Sequence, residues 1–335
     1  MTKWYQDTGD KSDVVLSTRI RLARNLKGIP FPGKMTDENA RKVIELVEAA
    51  LEEMHYTFTR IDLSDMTQQE KNKLVEQRYI SPALASSKLP CAAYISEDEN
   101  VSIMVNEEDH IRIQGIFAGF EGDRAYELIS KVDGYLAEKL DYAVHEKYGY
   151  LTSCLTNVGT GMRVSYMLHL PGASVSGAAE SIFAAVGKLG LTVRGMYGEG
   201  TKSSGHIFQI SNQTTLGRSE NEILSDMKET IGNLIGKEQE LRERIYEQDK
   251  MVLEDKIMRS YAILKSARMI SGKEMMQRLS DVRLGLGLSL IGDVDYKTLT
   301  EIMITASPGY ISADMGAESP RERDIARADA IRTMI

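Results

Sequence analysis

CAAYISEDENVSIMVNEEDHIRIQGIF, residues 91–117, holds three short apolar runs: CAAYI, VSIMV and HIRIQGIF. Each has the length and the side chains of a strand. The first two are parted only by the turn SEDEN at 96–100. Links that short join antiparallel neighbours, because a parallel crossover takes a dozen residues or more. The stretch therefore predicts an antiparallel sheet. It also holds a puzzle. Glu107, Glu108 and Asp109 stand in a row, followed by His110 and Arg112. If the strand VSIMV runs on through them, Glu107 and Asp109 share one face, and Glu108 and His110 the other. Burying either set without partners is costly, so the run asks for a chemical reason.

Outward from this stretch, helices and strands alternate. Val43, Ile44, Val47, Ala50, Leu51 and Met54 keep a helical spacing and predict a helix over 37–55. Thr67 and Glu70 make a capping box before KNKLVEQ. Further helices are predicted near 122–141 and 176–189, and further strands at LTSCLTN, RVSYMLHL, LTVRGMY and HIFQISN. The class is α+β, a largely antiparallel sheet flanked by helices. From Ser219 the character changes. Capping boxes at Ser219–Glu222, Ser271–Glu274 and Ser319–Glu322, the last with Pro320 at the first helical position, open helices in an all-helical C-terminal domain. The boundary is placed near residue 240, giving domains 1–240 and 241–335.

Composition excludes several functions. Net charge is −8, so a bulk nucleic-acid binder is not expected. Cys91 and Cys154 cannot build a disulfide framework, and with 17 methionines they suit a reducing cytoplasm. The polar start MTKWYQDTGDKSD lacks a signal-peptide apolar core, and no apolar run is long enough to span a bilayer, so the expectation is a soluble, cytoplasmic protein with no membrane contact. The histidines are scattered, with neither HExxH nor paired CxxC spacing, and no metal site is expected.

Arginines carry the positive signal. Arg19 and Arg21 in STRIRLAR lie two apart and share a face if extended. Arg112 follows the acidic run, Arg163 follows the Gly-rich turn NVGTGM, and Arg194 enters a second Gly-rich loop, RGMYGEGTKS. Any one of these is most simply a surface charge. Several beside glycine turns point toward an anionic ligand, since guanidinium suits bidentate phosphate recognition. The loop GMYGEGTKS is not a P-loop, because Thr201 separates glycine from lysine. No dinucleotide fingerprint or protein-kinase signature set is present.

Together these blocks resemble the phosphagen kinase superfamily, the ATP:guanidino phosphotransferases. The resemblance rests on STRIRLAR at 17–24, VNEEDHIR at 105–112, CLTNVGTGMR at 154–163, RGMYGEG at 194–200 and SNQTTLGRSE at 211–220. It covers about the first two thirds of the chain. Within the superfamily the chain looks most like the branch that phosphorylates arginine in bacterial proteins. The STRIR block begins at Ser17, which leaves no room for the helical N-terminal domain of creatine and arginine kinases, and the expectation is a site open to a bulky acceptor. A helical extension follows the core, and its Arg323-Asp324-Ile325-Ala326-Arg327-Ala328 matches the RDxxRA phosphoarginine-binding motif of that branch.

The resemblance implies roles. Glu108 is the candidate base and positioner for the acceptor guanidinium, with Glu107 beside it. Glu199 matches a second substrate-clamping glutamate, and Cys154 the cysteine that lies against the guanidinium. Ser17, Arg19, Arg21, Arg112, Arg163 and Arg194 would surround the phosphates of ATP with Mg²⁺. Asn157, Gly159 and Gly161 would form a substrate loop. Arg323, Asp324 and Arg327, with Glu318 near, would form a regulatory phosphoarginine pocket. Three positions depart from the wider superfamily. Leu155 replaces a common proline, Thr215 a phosphate-binding arginine, and Arg78 a common histidine; Arg218 lies near Thr215 in sequence. The implied setting is a stress response that marks proteins for a Clp-type ATPase and protease and acts on a heat-shock repressor. A zinc-binding activator protein and a homodimer or higher oligomer complete it. The rival readings are a kinase for free arginine or another small guanidino compound, and a non-catalytic phosphoarginine-binding adaptor.

Overall fold

Strand β1 (Val15–Arg24) forms because polar and apolar residues alternate along it. Ile20 and Leu22 are buried on one face, while Arg19 and Arg21 are half-buried on the other. The structure is a computed structural model that describes residues 3–195 and 204–335. Among them an eight-stranded sheet surrounds β1, in the order β2-β3-β4-β5-β1-β8-β10-β9. The other strands are β2 (Phe58–Asp62), β3 (Ala92–Ser96), β4 (Val101–Val105), β5 (Ile111–Ala118), β8 (Met162–His169), β9 (Leu191–Gly195) and β10 (Ile207–Asn212). Every neighbouring pair is antiparallel, and short turns join β3 to β4 and β4 to β5. A small hairpin pairs β6 (Val144–His145) with β7 (Gly149–Tyr150).

Helices cover both faces. On the first, α1 (Asp37–Glu52), α4 (Gly122–Lys139) and α7 (Glu220–Gln248) bury Val43, Val47, Ile129, Val132, Met227 and Ile231 against Ile20, Leu22, Ile113 and Val164. On the second, Met104, Ile116 and Met167 join a core built by Trp4, Tyr5 and the C-terminal helices. Those are α8 (Lys250–Ser266), α9 (Gly272–Gly287), α10 (Tyr296–Thr305), α11 (Pro308–Met315) and α12 (Pro320–Met334). Ile257, Val282, Ile302 and Ile311 are their most deeply buried contributions. The remaining helices are α2 (Gln68–Glu76), α3 (Pro82–Ala85), α5 (Pro171–Val175) and α6 (Ala179–Lys188).

Thr67, Ser219 and Ser319 form complete capping boxes, while Ser271 contributes its half of one by accepting from the Glu274 amide. The structure also departs from the sequence reading. The acidic run is not strand: β4 ends at Val105, Asn106 takes a left-handed φ of 62°, and β5 starts at Ile111. LTSCLTN is not strand either, and Leu155–Asn157 is a 3-10 turn. The helix expected over 176–189 starts later, at Ala179, because Gly177 at φ 75° breaks it from α5. The long run from Ser219 breaks at Asp249, whose backbone leaves the helical region (φ −150°, ψ 66°) between α7 and α8. Strand β2 had no counterpart in the sequence reading.

Candidate active site

The arginines gather on the second face of the sheet, where they line a cavity. Strand register explains how. Arg21 on β1 pairs at Cα with Gln114 on β5 and Arg163 on β8. Arg19 pairs with Ile116 and Ser165, and Ser165 with Ser211. Arg194 on β9 pairs with Gln209 on β10. Because strand side chains alternate, all of these point to one face. Arg19, Arg21, Arg112, Arg163 and Arg194 line one cavity of about 430 Å³ with Glu108, Asn157, Gly161 and Gln209.

The cations are sparsely neutralised. Arg19 Nη2 donates to Gln209 Oε1 at 2.8 Å and Arg163 Nη2 to Ser211 Oγ at 3.0 Å, both neutral partners. Burial, then the charges of Arg78, Arg112 and Arg163, pull Arg19 down to about 9. Burial and then Arg19, Arg112 and Arg163 hold Arg21 well below the ordinary guanidinium range. Burial, then Arg194, lowers Arg163. Packing cations against one another raises the free energy of the empty site and makes it a strong attractor for a polyanion.

The acidic run supplies the opposite charge at one edge. Arg112 Nη1 meets Glu107 at 2.5 Å, and its Nη2 meets Glu108 at 2.9 Å. The Glu107 side chain is buried and saturated: Oε2, which meets Arg112, also accepts from the Glu108 amide at 3.1 Å, and Oε1 accepts from Ser81 Oγ at 2.6 Å. Glu108 has a side chain 44% exposed and lines the cavity, so it alone of the pair is free to meet an acceptor. Asp109 and His110 answer the burial puzzle differently. Asp109 Oδ1 accepts from Asn25 Nδ2 and from the Ser153 amide, each at 2.7 Å. His110 Nδ1 accepts from the Leu26 amide at 2.9 Å while Nε2 donates to the Pro30 carbonyl at 2.9 Å, which fixes a neutral tautomer. Burial lowers its pKa accordingly. These two residues hold the loop, and the two glutamates are displayed by it.

Of the other expected residues, only Asn157 and Gly161 line this cavity among the described residues. Cys154 is half-buried at the start of the 3-10 turn, with Sγ 3.0 Å from Thr156 Oγ1. Gly159, at φ 113°, is a packing glycine: a Cβ there would lie 2.6 Å from the Thr215 carbonyl oxygen. Thr215 itself is buried, with Oγ1 2.9 Å from the Thr156 carbonyl and 2.7 Å from that of Val158. It pins the Cys154–Gly159 loop. Arg218 pairs with Asp226 at 2.6 Å and lines a different cavity, between α6 and α7. Ser17 lines a small recess beside the main cavity, with Arg19 and Arg78. Glu199 lies outside the described residues.

The C-terminal motif stands apart from the cavity. Arg327 is buried; it donates to the carbonyls of Ala306 and Ile270, each at 2.9 Å, and to Asp324 at 2.6 Å. Arg323 is half-buried and reaches the Glu318 carbonyl at 2.5 Å. Gln209, Ser211, Gln114 and Ser81 were missed at the sequence level. The first two were legible as alternate residues of HIFQISN, once that strand is placed beside the arginines.

Comparison with known proteins agrees with this geometry. The family described as ATP:guanido phosphotransferase, C-terminal catalytic domain, matches residues 42–241. The family described as protein-arginine kinase McsB C-terminal domain matches residues 250–335. The protein-arginine kinase of Symbiobacterium thermophilum is 42% identical, across 100% of this chain and 96% of its own. That of Bacillus subtilis is 45% identical, across 99% and 93%. A lombricine kinase crystal structure superposes with a TM-score of 0.62 at 26% identity, covering 70% of this chain and 68% of that one. The chain belongs to the ATP:guanido phosphotransferase family. Its likeness to relatives along its whole length sets it among the protein-arginine kinases of that family.

Proposed function

We propose that the chain moves the γ-phosphoryl group of ATP onto the guanidinium of arginine side chains in proteins, at the arginine-lined cavity. The observation that carries this is the juxtaposition of an accessible carboxylate, Glu108, with Arg19, Arg21, Arg112, Arg163 and Arg194 in one cavity. The arginines would hold the phosphates and balance the charge that spreads over the transferring group. Glu108 would orient the acceptor guanidinium and accept its proton as the N–P bond forms and the bond from the γ-phosphorus to the β–γ bridging oxygen breaks. Cys154, beside Arg163, and Glu199 would complete the acceptor side, with Asn157, Gly159 and Gly161 shaping the loop around it.

Magnesium would be held by the nucleotide. Glu108 is the only carboxylate lining the cavity among the described residues, and it already serves Arg112. No group of three His, Cys, Asp or Glu able to cage a metal is present among them. An ion carried on phosphate oxygens and water fits such a site, as magnesium prefers.

Residues 1–240 would carry catalysis, and residues 241–335 a regulatory pocket for phosphoarginine built by Arg323, Asp324 and Arg327. Asp324, partly exposed near the start of α12, supports that reading. The likeness to protein-arginine kinases supports a setting in the bacterial cytoplasm under stress. There the product would mark clients for a Clp-type ATPase and protease, with a heat-shock repressor as substrate and a zinc-binding activator as partner. Met251, Val252 and Met258, exposed on α8, favour a homodimer or larger assembly.

The test offers ATP and Mg²⁺ with two acceptors, an arginine-rich unfolded protein and free arginine, and reads acid-labile phosphorus on nitrogen by phosphorus NMR. Label on the protein alone is the expected result. Label on free arginine would favour a small-guanidino kinase. No label, with tight phosphoarginine binding, would favour an adaptor.

A further inference from the structure

The stretch from the end of α2 to the start of α3 touches four different parts of the molecule within six residues. At its start, Glu76 caps α11: its carboxylate accepts from the amides of Gly309 at 2.9 Å and Tyr310 at 2.8 Å, and from Ser307 Oγ at 2.5 Å. Gly309 lies so close to α2 that a Cβ would come within 2.8 Å of Asn72. Gln77 is held next, accepting from Trp4 Nε1 at 2.9 Å and donating to the Tyr5 hydroxyl at 3.1 Å. Arg78 then turns the chain at a left-handed φ of 70°. Its carbonyl accepts from Gln114 Nε2 at 2.6 Å, the residue in register with Arg21. Ser81 ends the link, and its hydroxyl donates to Glu107 Oε1 at 2.6 Å while accepting from the Leu84 amide at 3.0 Å.

These contacts run in one direction, from a C-terminal helix to the acidic loop. Glu107 is held by Ser81 on one oxygen and by Arg112 and the Glu108 amide on the other. Without Ser81 the carboxylate keeps one anchor side and can rotate. Arg112 and the Glu108 backbone then lose their fixed reference. A left-handed conformation at a non-glycine residue costs about 1 kcal/mol or more, so the turn at Arg78 persists because contacts on both sides impose it. The helix α11, seated on Glu76, supplies one side.

We propose that Glu76–Ser81 is a positioning segment for phosphoryl transfer, through which the seating of α11 sets Ser81, and Ser81 sets Glu107 and with it Glu108. This rests on the reading of the acidic pair as the group that handles the acceptor. Ser81 and Glu76 are positioning residues, since neither lines the main cavity.

The experiment compares Ser81→Ala, Ser81→Thr, Glu76→Gln and Glu107→Gln in the full chain, measuring kcat, KM for ATP and thermal midpoint. A lost hydrogen bond to a charged group predicts a kcat about tenfold lower for Ser81→Ala, with KM for ATP within about twofold of the parent. Ser81→Thr, which keeps the hydroxyl, restores kcat. Glu76→Gln lowers kcat in the same sense with KM for ATP held, although it lies outside the site. A Ser81→Ala enzyme that loses only thermal stability, or that raises KM for ATP at constant kcat, overturns the proposal. Unchanged kcat in Ser81→Ala beside an inactive Glu107→Gln overturns it while leaving the acidic pair in place. Full activity in Glu107→Gln removes the reading of the pair itself, and the proposal with it.

Discussion

Arg21 and Arg163 are direct Cα partners on adjacent strands, pointing the same way, and neither makes an ion pair with a carboxylate among the described residues. Their repulsion is a standing cost of the empty site. Arg21→Gln therefore should leave the thermal midpoint unchanged or raise it in the absence of nucleotide. The same change should lower kcat/KM for ATP by about a hundredfold, the usual loss for a donor that meets transition-state charge. Thermal unfolding with and without ATP, beside initial rates, reads both. A lower midpoint without ligand would show that Arg21 is a structural cation.

Glu108 and Glu107 differ in access, and their variants should differ in kind. Glu108→Gln keeps the shape and loses the proton acceptor. Its kcat should fall by about 10²–10⁴-fold with ATP binding retained, measured by calorimetry. Removal of the Glu108 charge with no loss of phosphoarginine formation would assign the proton to another group.

Acid should weaken the fold through buried histidines. Burial, then the charges of Arg242 and Arg283, holds His169 well below its ordinary value of 6.5. Burial also lowers His110 and His206. Unfolding returns each to its ordinary value, so below pH about 6.5 the unfolded chain binds protons that the folded chain refuses. Stability is full above that pH and falls as pH drops toward the folded values, by up to about 1.4 kcal/mol per pH unit for each histidine. Urea midpoints between pH 7 and 5 should show this slope, and His169→Gln should reduce it by about one proton.

Gly159→Ala tests the loop that carries Cys154. The residue sits at φ 113°, and the added methyl meets the Thr215 carbonyl oxygen at 2.6 Å. The substitution should destabilise by more than about 1 kcal/mol and should lower kcat, because Thr215 holds the carbonyls of Thr156 and Val158. A denaturant titration with parallel rates checks it.

Much of this could be read from the chain because strand periodicity is strict. Arg19 and Arg21, two apart, had to share a face, and the apolar runs at 91–117 had to pair as hairpins. The acidic run was misjudged as strand because its charges were weighed and its turn chemistry was not. Asn106 in a left-handed turn, with Asp109 bonded to Asn25 and Ser153, is a long-range solution that no local pattern reveals. The same holds for Arg327, whose bonds to the carbonyls of Ala306 and Ile270 tie α12 to distant parts of the chain. The break at Asp249 is equally tertiary, since the helical pattern runs through it.

The second core has a consequence for the inheritance of the protein. Trp4 and Tyr5, near the start, Met104, Ile116 and Met167 in the sheet, and Ile302 and Ile331 near the end all belong to one apolar cluster. Two family descriptions meet along the chain, yet no knife passes between them without laying open a greasy sheet face. A gene cut at that seam would encode a sticky fragment rather than a smaller kinase. The parts can change in sequence, but they must travel together.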